Sequence, residues 1–285
     1  MWSLANFHIF SKNARHEVLV PWKLLNTSAR FAFSMGLELS PGNPLIVATT
    51  ATVEEALEAV RQGADVIESS PDLVEQTLES MLGQVRSIRE AVSVPLLATI
   101  RKLEDGGQWK GSEKSRYKMF EAIIPYVDAV DIEIDSPLLE LVLRLARGHK
   151  KLAVCSYHLM HGTLQPAILR KRLNDMNNTL ADALKVAMMA KSRDDLYTMR
   201  NALVEHVTAR RKPLAMIPMG EEGKIGRKTF PWVGSTLNYG CAHAPKAPGQ
   251  VRIHELRAAL EYGRARASLP MNAMVYDATI ALFKG

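Results

Sequence analysis

The chain has 285 residues, of which 47% are apolar and 23% charged, with a formal net charge of +6. That balance suits a globular protein built as one large α/β domain or two ordinary ones. No apolar run reaches the roughly 18 residues a membrane span needs. The N-terminus MWSLANFHIF lacks the apolar core and cleavage site of a secretory signal. Two cysteines, Cys155 and Cys241, make no disulfide framework and read as reduced residues of a cytoplasmic protein. The basic residues are scattered, and the one ARRK run (209–212) follows a helical segment, so the charge argues against nucleic acid and for an anionic small-molecule substrate.

Residues 1–43 show no regular alternation and form an N-terminal extension. From residue 44 onward, short apolar runs alternate with amphipathic segments. The runs are PLIVATT (44–50), ADVIESS (64–70), VPLLATIR (94–101), VDAVDIEI (127–134), KLAVCSYH (151–158), ALKVAMMA (183–190), PLAMIPMG (213–220) and WVGSTLNYG (232–240). Continuous apolar runs of this length predict strands buried on both faces of a parallel sheet. The intervening helices are predicted at 52–63, 70–92, 112–124, 136–148, 163–177, 192–211 and 252–263. The first opens with the capping pattern Thr52–Glu55 and stops at Gly63. Eight strands alternating with helices predict a (β/α)8 TIM barrel over 44–285, the apolar tail 268–285 packing on it or on a partner chain. A doubly wound sheet is the alternative, but the turn after the first strand, ATTATVEEA, has no glycine.

In such a barrel the chemistry sits at the C-terminal ends of the strands. Those ends carry Glu68, Arg101, the trio Asp131, Glu133 and Asp135, then Tyr157 with His158, Lys185, Arg227 beyond strand seven, and APKAPGQ beyond strand eight. Lys185 is the sharpest of these, an ammonium inside an apolar run. It snorkels, or pairs with a carboxylate such as Glu133, or is a neutral nucleophile that forms a Schiff base with a carbonyl. His158 ends the neighbouring strand and supplies a proton-transfer group beside it. Arg101 and Arg227 read as surface ion-pair members or as a clamp for an anionic substrate. His161, His243 and His254 are not arranged as metal ligands.

These residues resemble the type I 3-dehydroquinate dehydratase family over roughly 44–262. VCSYH (154–158) carries the family's strand-five histidine and LKVAMM (184–189) its strand-six lysine. MGEEGKIGR (219–227), GSTLNYG (234–240) with APGQ (247–250), and PLLATIRKLEDGG (95–107) follow in family order. The resemblance implies a cytoplasmic, homodimeric hydro-lyase of the shikimate pathway, with no metal or organic cofactor. It implies Lys185 and His158 as catalytic residues, and Glu68, Arg101, Arg227 and Gln250 as ligands of a cyclic keto acid.

The chain also departs from that pattern. The family's Glu-x-Arg is here Glu68-Ser69-Ser70, so Ser70 stands for an arginine. Asp105 stands for a glutamate, Lys246 for a serine and Ala48 for a first-strand serine. Two alternatives therefore accompany the dehydratase reading: a diverged Schiff-base lyase or aldolase on another cyclic keto acid, and an idle barrel that binds a metabolite.

Overall fold

The computed structural model describes residues 31–32, 38–73 and 77–265. The expectations for the remainder of residues 1–43, and for the tail 268–285, lie outside the described residues. Eight parallel strands appear in the expected order: β1 (Leu45–Thr50), β2 (Val66–Ser69), β3 (Leu96–Thr99), β4 (Ala129–Glu133), β5 (Leu152–Leu159), β6 (Ala183–Met189), β7 (Leu214–Met219) and β8 (Leu237–Cys241). A two-residue strand, Val251–Arg252, adds to the far side of β8. Ladder pairing runs from β8 through β1 to β7. Between β7 and β8 the cylinder is closed by individual bonds: Thr236 N donates to Leu214 O at 3.0 Å, and Met216 N donates to Ser235 Oγ at 3.1 Å.

The helices are α1 (Val53–Arg61), α2 (Leu78–Ala91), α3 (Glu113–Ile123), α4 (Leu139–Gly148), α5 (Pro166–Asn177), α6 (Arg193–Thr208), α7 (Gly223–Thr229) and α8 (Ile253–Ala265). Strand side chains alternate between two apolar layers. One set, including Ile46, Ala48, Ile67, Ala98 and Leu184, packs outward against the helices. The other, including Val47, Val66, Leu97, Val154, Ala187 and Ile217, fills the barrel together with Leu39. None of the described helices is long and apolar enough to cross a membrane.

One small device recurs at the N-terminal ends of β2, β4 and β6. Asp65, Asp128 and Asp182 each precede a strand by one residue and clamp the strand before it. The carboxylates accept from Ile46 N, Leu96 N and Ala153 N at 2.8, 2.8 and 2.9 Å. In return the aspartate N–H groups donate to Ile46, Leu96 and Ala153 carbonyls, each at 2.8 Å. Each clamp fixes the register of a strand pair from its lower end.

Two predicted boundaries move, and one predicted capping pair forms only in part. The helix expected over 70–92 starts only at Leu78: Ser70 precedes Pro71, which disfavours helical backbone, a 3-10 turn occupies Pro71–Leu73, and Thr77 caps the new start by accepting from Ser80 N. The eighth strand is confined to Leu237–Cys241, because Phe230–Val233 form a 3-10 turn that ends at Gly234 with a left-handed φ of 106°. Thr52 does cap α1, but the Glu55 carboxylate takes Ala51 N instead of closing a reciprocal pair; the reciprocal box is Ser192–Asp195 on α6.

Among the described residues Asp182 makes no other side-chain bond, so its clamp offers the cleanest test. Asp182→Ala is expected to cost about 1–2 kcal/mol of unfolding free energy by urea denaturation, whereas Asp182→Asn, which keeps an acceptor for Ala153 N, retains most of it.

Candidate active site

Strand alternation places Thr49, Glu68, Thr99, Asp131, Glu133, Ser156, His158 and Lys185 on the interior face near the C-terminal mouth. The registers Thr49↔Glu68, Thr99↔Asp131 and Ser156↔Lys185 set them side by side. Lys185 is buried, and its Nζ donates to Glu68 Oε1 at 3.1 Å and Asp131 Oδ2 at 3.2 Å. Nζ also stands 4.3 Å above the centre of the Tyr239 ring. Its carboxylate partners are therefore Glu68 and Asp131, and not Glu133.

Glu133 belongs to the next links of the same chain. Arg101 Nη2 meets Asp131 Oδ1 at 2.7 Å, and its Nη1 meets Glu133 Oε1 at 3.3 Å. The other Glu133 oxygen is held by Arg116, a fully buried guanidinium on α3 that also donates from Nε to Ile100 O at 2.8 Å. Ser156 Oγ donates to Asp131 Oδ1 at 2.6 Å, and Thr49 and Thr99 hydroxyls donate to Glu68. His158, half-buried at the mouth, has its Nδ1 3.2 Å from Arg101 Nη1. A guanidinium can only donate, so Nδ1 is the acceptor and the proton of neutral His158 sits on Nε2.

These contacts set the protonation states. For Lys185, burial is the largest influence and lowers its pKa, but Asp131 and then Glu68 outweigh it, and the net direction is upward. The ligand-free lysine is thus charged, which corrects the expectation of a neutral amine kept so by apolar neighbours. Asp131 is buried too, which pushes its carboxyl up, yet Arg101 and Lys185 hold it well below the usual carboxylate range. His158 goes well below 6.5, driven by burial and then by Arg101 and Lys185.

The other half of the mouth is built by β7, α7 and the loop after β8. Arg227 is buried, with Nη1 donating to Tyr239 O at 3.3 Å and Nη2 to Pro248 O at 3.2 Å, while Nε has no partner. No carboxylate among the described residues forms an ion pair with it, and burial lowers its pKa to about 10. Neither Arg101 nor Arg227 is a surface ion-pair member. Gln250 accepts from Lys246 N at 2.8 Å and donates to Gly240 O at 3.1 Å. Gly249, at φ 69°, lies so close to Gly220 that an added Cβ would sit 1.9 Å from its carbonyl oxygen. Arg227, Pro248 and Gln250 line, with Lys185, His158 and Arg101, a cavity of about 170 Å³ that also touches Ser70, Asp72 and Asp105. A larger groove of about 370 Å³ is lined by α5 and α6 residues alone.

Some predicted positions fall elsewhere. Ala48 faces the outer layer, so it is no part of the mouth; the inward residue of β1 is Thr49. Lys246 lines the cavity, but its ammonium is paired with Glu55 of α1 at 2.8 Å. Asp135 lies beyond β4 and pairs with Arg172 at 2.6 Å, and the Arg172 guanidinium in turn stacks on Tyr157.

Residues 43–266 match the family model described as type I 3-dehydroquinase. The chain belongs to the type I 3-dehydroquinase family. It is 31% identical over 215 residues to a 3-dehydroquinate dehydratase of Methanocella arvoryzae, covering 75% of this chain and 94% of that protein. It is 33% identical over 225 residues to one of Methanothrix thermoacetophila, covering 78% and 93%. The crystal structure of 3-dehydroquinate dehydratase from Geobacillus kaustophilus superposes with a TM-score of 0.79 at 26% identity, over 83% of this chain and 97% of that one.

Sequence reasoning gave no role to Asp131, and none of Thr49, Asp72, Thr99, Arg116, Ser156 and Tyr239 was singled out for the site. Counting back by twos from His158, Glu133 and Arg101 would have found Ser156, Asp131 and Thr99; Thr49, Tyr239, Arg116 and Asp72 gave no such signal. Removing one partner of a buried pair leaves its mate uncompensated. Arg116→Met is therefore expected to cost about 3 kcal/mol in chemical denaturation, and the double variant Arg116→Met/Glu133→Gln to cost less than the sum of its parts.

Proposed function

We propose that the protein is a hydro-lyase that converts 3-dehydroquinate to 3-dehydroshikimate and water through an imine on Lys185, with His158 as general acid and base. The observation that carries this reading is the junction of Lys185 and His158 through Arg101 and Asp131, facing an Arg227 that has no carboxylate partner. Arg227 and Gln250 hold the substrate carboxylate, which brings the ketone to Lys185. Glu68 and Arg101 orient the hydroxyl side, with Ser70, Asp105 and Lys246 around it. The chemistry draws on no metal or organic cofactor.

The charged lysine and neutral histidine hold one proton between them. Passing it from Nζ to the imidazole frees the amine without changing the net protonation of the site. Nζ adds to the ketone and loses water to give the iminium, an electron sink for the neighbouring C–H bond. His158, neutral again, removes that proton from C2, and the pair of electrons expels the C1 hydroxyl, which leaves as water with the proton His158 returns. Water then adds to the conjugated iminium and releases the enone product and Lys185. The loop 241–250 is held to Gly220 and Arg227 through Pro248, and acts as the lid that keeps bulk water out. We read 44–285 as the catalytic domain and 1–43 as an extension, and the working form as a cytoplasmic homodimer.

Borohydride added during turnover of 3-dehydroquinate should reduce the imine and leave a mass adduct on the peptide containing Lys185, with enone absorbance rising in its absence. Lys185→Ala should lose both signals; no adduct on Lys185 in the parent enzyme would refute the mechanism. His158→Ala should lower kcat by roughly 10²–10⁴-fold.

The pH profile follows from the two shifts. His158 falls below 6.5, so its acid limb lies below that value; Lys185 rises above 10.5, so its basic limb lies above it. The expected profile of kcat/KM is flat between about pH 6.5 and about pH 9, and an acid limb centred at or above 6.5 would contradict the assignment.

A further inference from the structure

The mouth is divided by charge. On the side of β7 and β8, Arg227 carries a positive charge with no carboxylate partner, while Lys246 is neutralised by Glu55. On the side of β2 and β3 the balance is reversed. Asp72 is 2% exposed and lines the cavity; its Oδ2 accepts from Gln108 N at 3.0 Å, and its Oδ1 is buried without a partner. The carboxylate of Asp105, half-buried on the cavity, makes no hydrogen bond or ion pair among the described residues. Ser70, 5% exposed between them and Glu68 in the lining, has a hydroxyl with no hydrogen bond there. The nearby cations are committed elsewhere: Arg101 to Asp131 and Glu133, Lys102 to Glu104.

An orphaned carboxylate oxygen in a buried site is costly until a donor reaches it. That orphaned Asp72 oxygen, the half-buried Asp105 carboxylate and the unbonded Ser70 hydroxyl form an acceptor-rich wall that asks for a donor, and best of all a cation. The wall stands across the cavity from the group suited to a carboxylate. Burial raises the pKa of both Asp72 and Asp105, as expected of acids with no adequate counter-charge beside them.

We propose that Ser70, Asp72 and Asp105 form a subsite for an ammonium substituent, so that the preferred substrate is a cyclic hydroxy keto acid bearing a primary amine on the ring edge away from its carboxylate. This inference rests on the Schiff-base reading above and names the member of that substrate class the site favours. The chemistry at Lys185 and His158 is unchanged by it: the amine takes no part in imine formation or in loss of the C1 hydroxyl, and is read only by the acidic wall.

The test compares kcat/KM for 3-dehydroquinate with that for its analogue carrying a primary amine in place of the C5 hydroxyl. The parent enzyme is expected to favour the amine by roughly tenfold, the worth of one good charge-assisted contact. Asp72→Asn keeps an acceptor for Gln108 N while removing the charge, and should erase most of the preference. Ser70→Arg places a guanidinium against the two acids and should invert it, raising turnover of the hydroxyl compound. A parent enzyme that favours 3-dehydroquinate, or an amine preference that survives both variants, overturns the proposal. Borohydride trapping separates the two levels. An adduct from the hydroxyl compound with none from the amine overturns the subsite alone, while no adduct from either overturns the Schiff-base reading and the subsite with it.

Discussion

Three cations and three carboxylates lie in one unbroken line inside this barrel, and the rest of the site is arranged around them. From α3 inward the order is Arg116, Glu133, Arg101, Asp131, Lys185 and Glu68, each in contact with neighbours of opposite sign. The line is formally neutral, which is what makes its burial tolerable, since isolated charges in a dry interior are far more expensive than paired and hydrogen-bonded ones. It also means that no member can be understood alone. Lys185 is charged because Asp131 and Glu68 outweigh its burial, and His158 is neutral because burial, then Arg101 and Lys185, disfavour its cation. In the proposed mechanism, a substrate carbonyl arriving at Lys185 enters a site whose charges are already in place and need little reorganisation.

Much of this was legible in the sequence. The eight apolar runs, their spacing and the absence of a glycine-rich first turn led to the barrel. Reading the strand ends led to Lys185, His158, Glu68, Arg101 and Arg227, all of which line the one cavity. The parts that were not legible depend on distance and direction. Whether Ala48 or Thr49 faces inward is decided by strand register, which a run of apolar and small residues leaves open. The charge state of Lys185 depends on which acids reach it across the barrel: Asp131 is 54 positions away in the chain and Glu68 is 117. Arg116 looks in sequence like any polar residue on an amphipathic helix, yet it is among the most deeply buried side chains in the described structure.

The mouth above the line separates two tasks. One wall has an arginine with no counter-ion and a glutamine bonded to the closing loop; the other has acids and a serine. In the function proposed above, the chemistry belongs to the centre, and the two walls choose which ring is held over it. That division explains why substitutions around the rim leave the central contacts intact. Ser70 and Lys246 both line the cavity, but among the described residues neither bonds to any member of the buried line.

The aspartate clamps at the lower end of the barrel have a consequence for how such a protein can change over time. Each stands three positions before a buried ionic residue: Asp65 before Glu68, Asp128 before Asp131, Asp182 before Lys185. The distance from clamp to reactive group is thus a ruler one short stretch of strand long. Helices and loops upstream of a clamp can lengthen, shorten or be exchanged without moving the group it sets. A single insertion inside the ruler would turn that group to the outer layer. Length variation among related chains should therefore gather outside these three intervals, leaving them as the fixed measure of the fold.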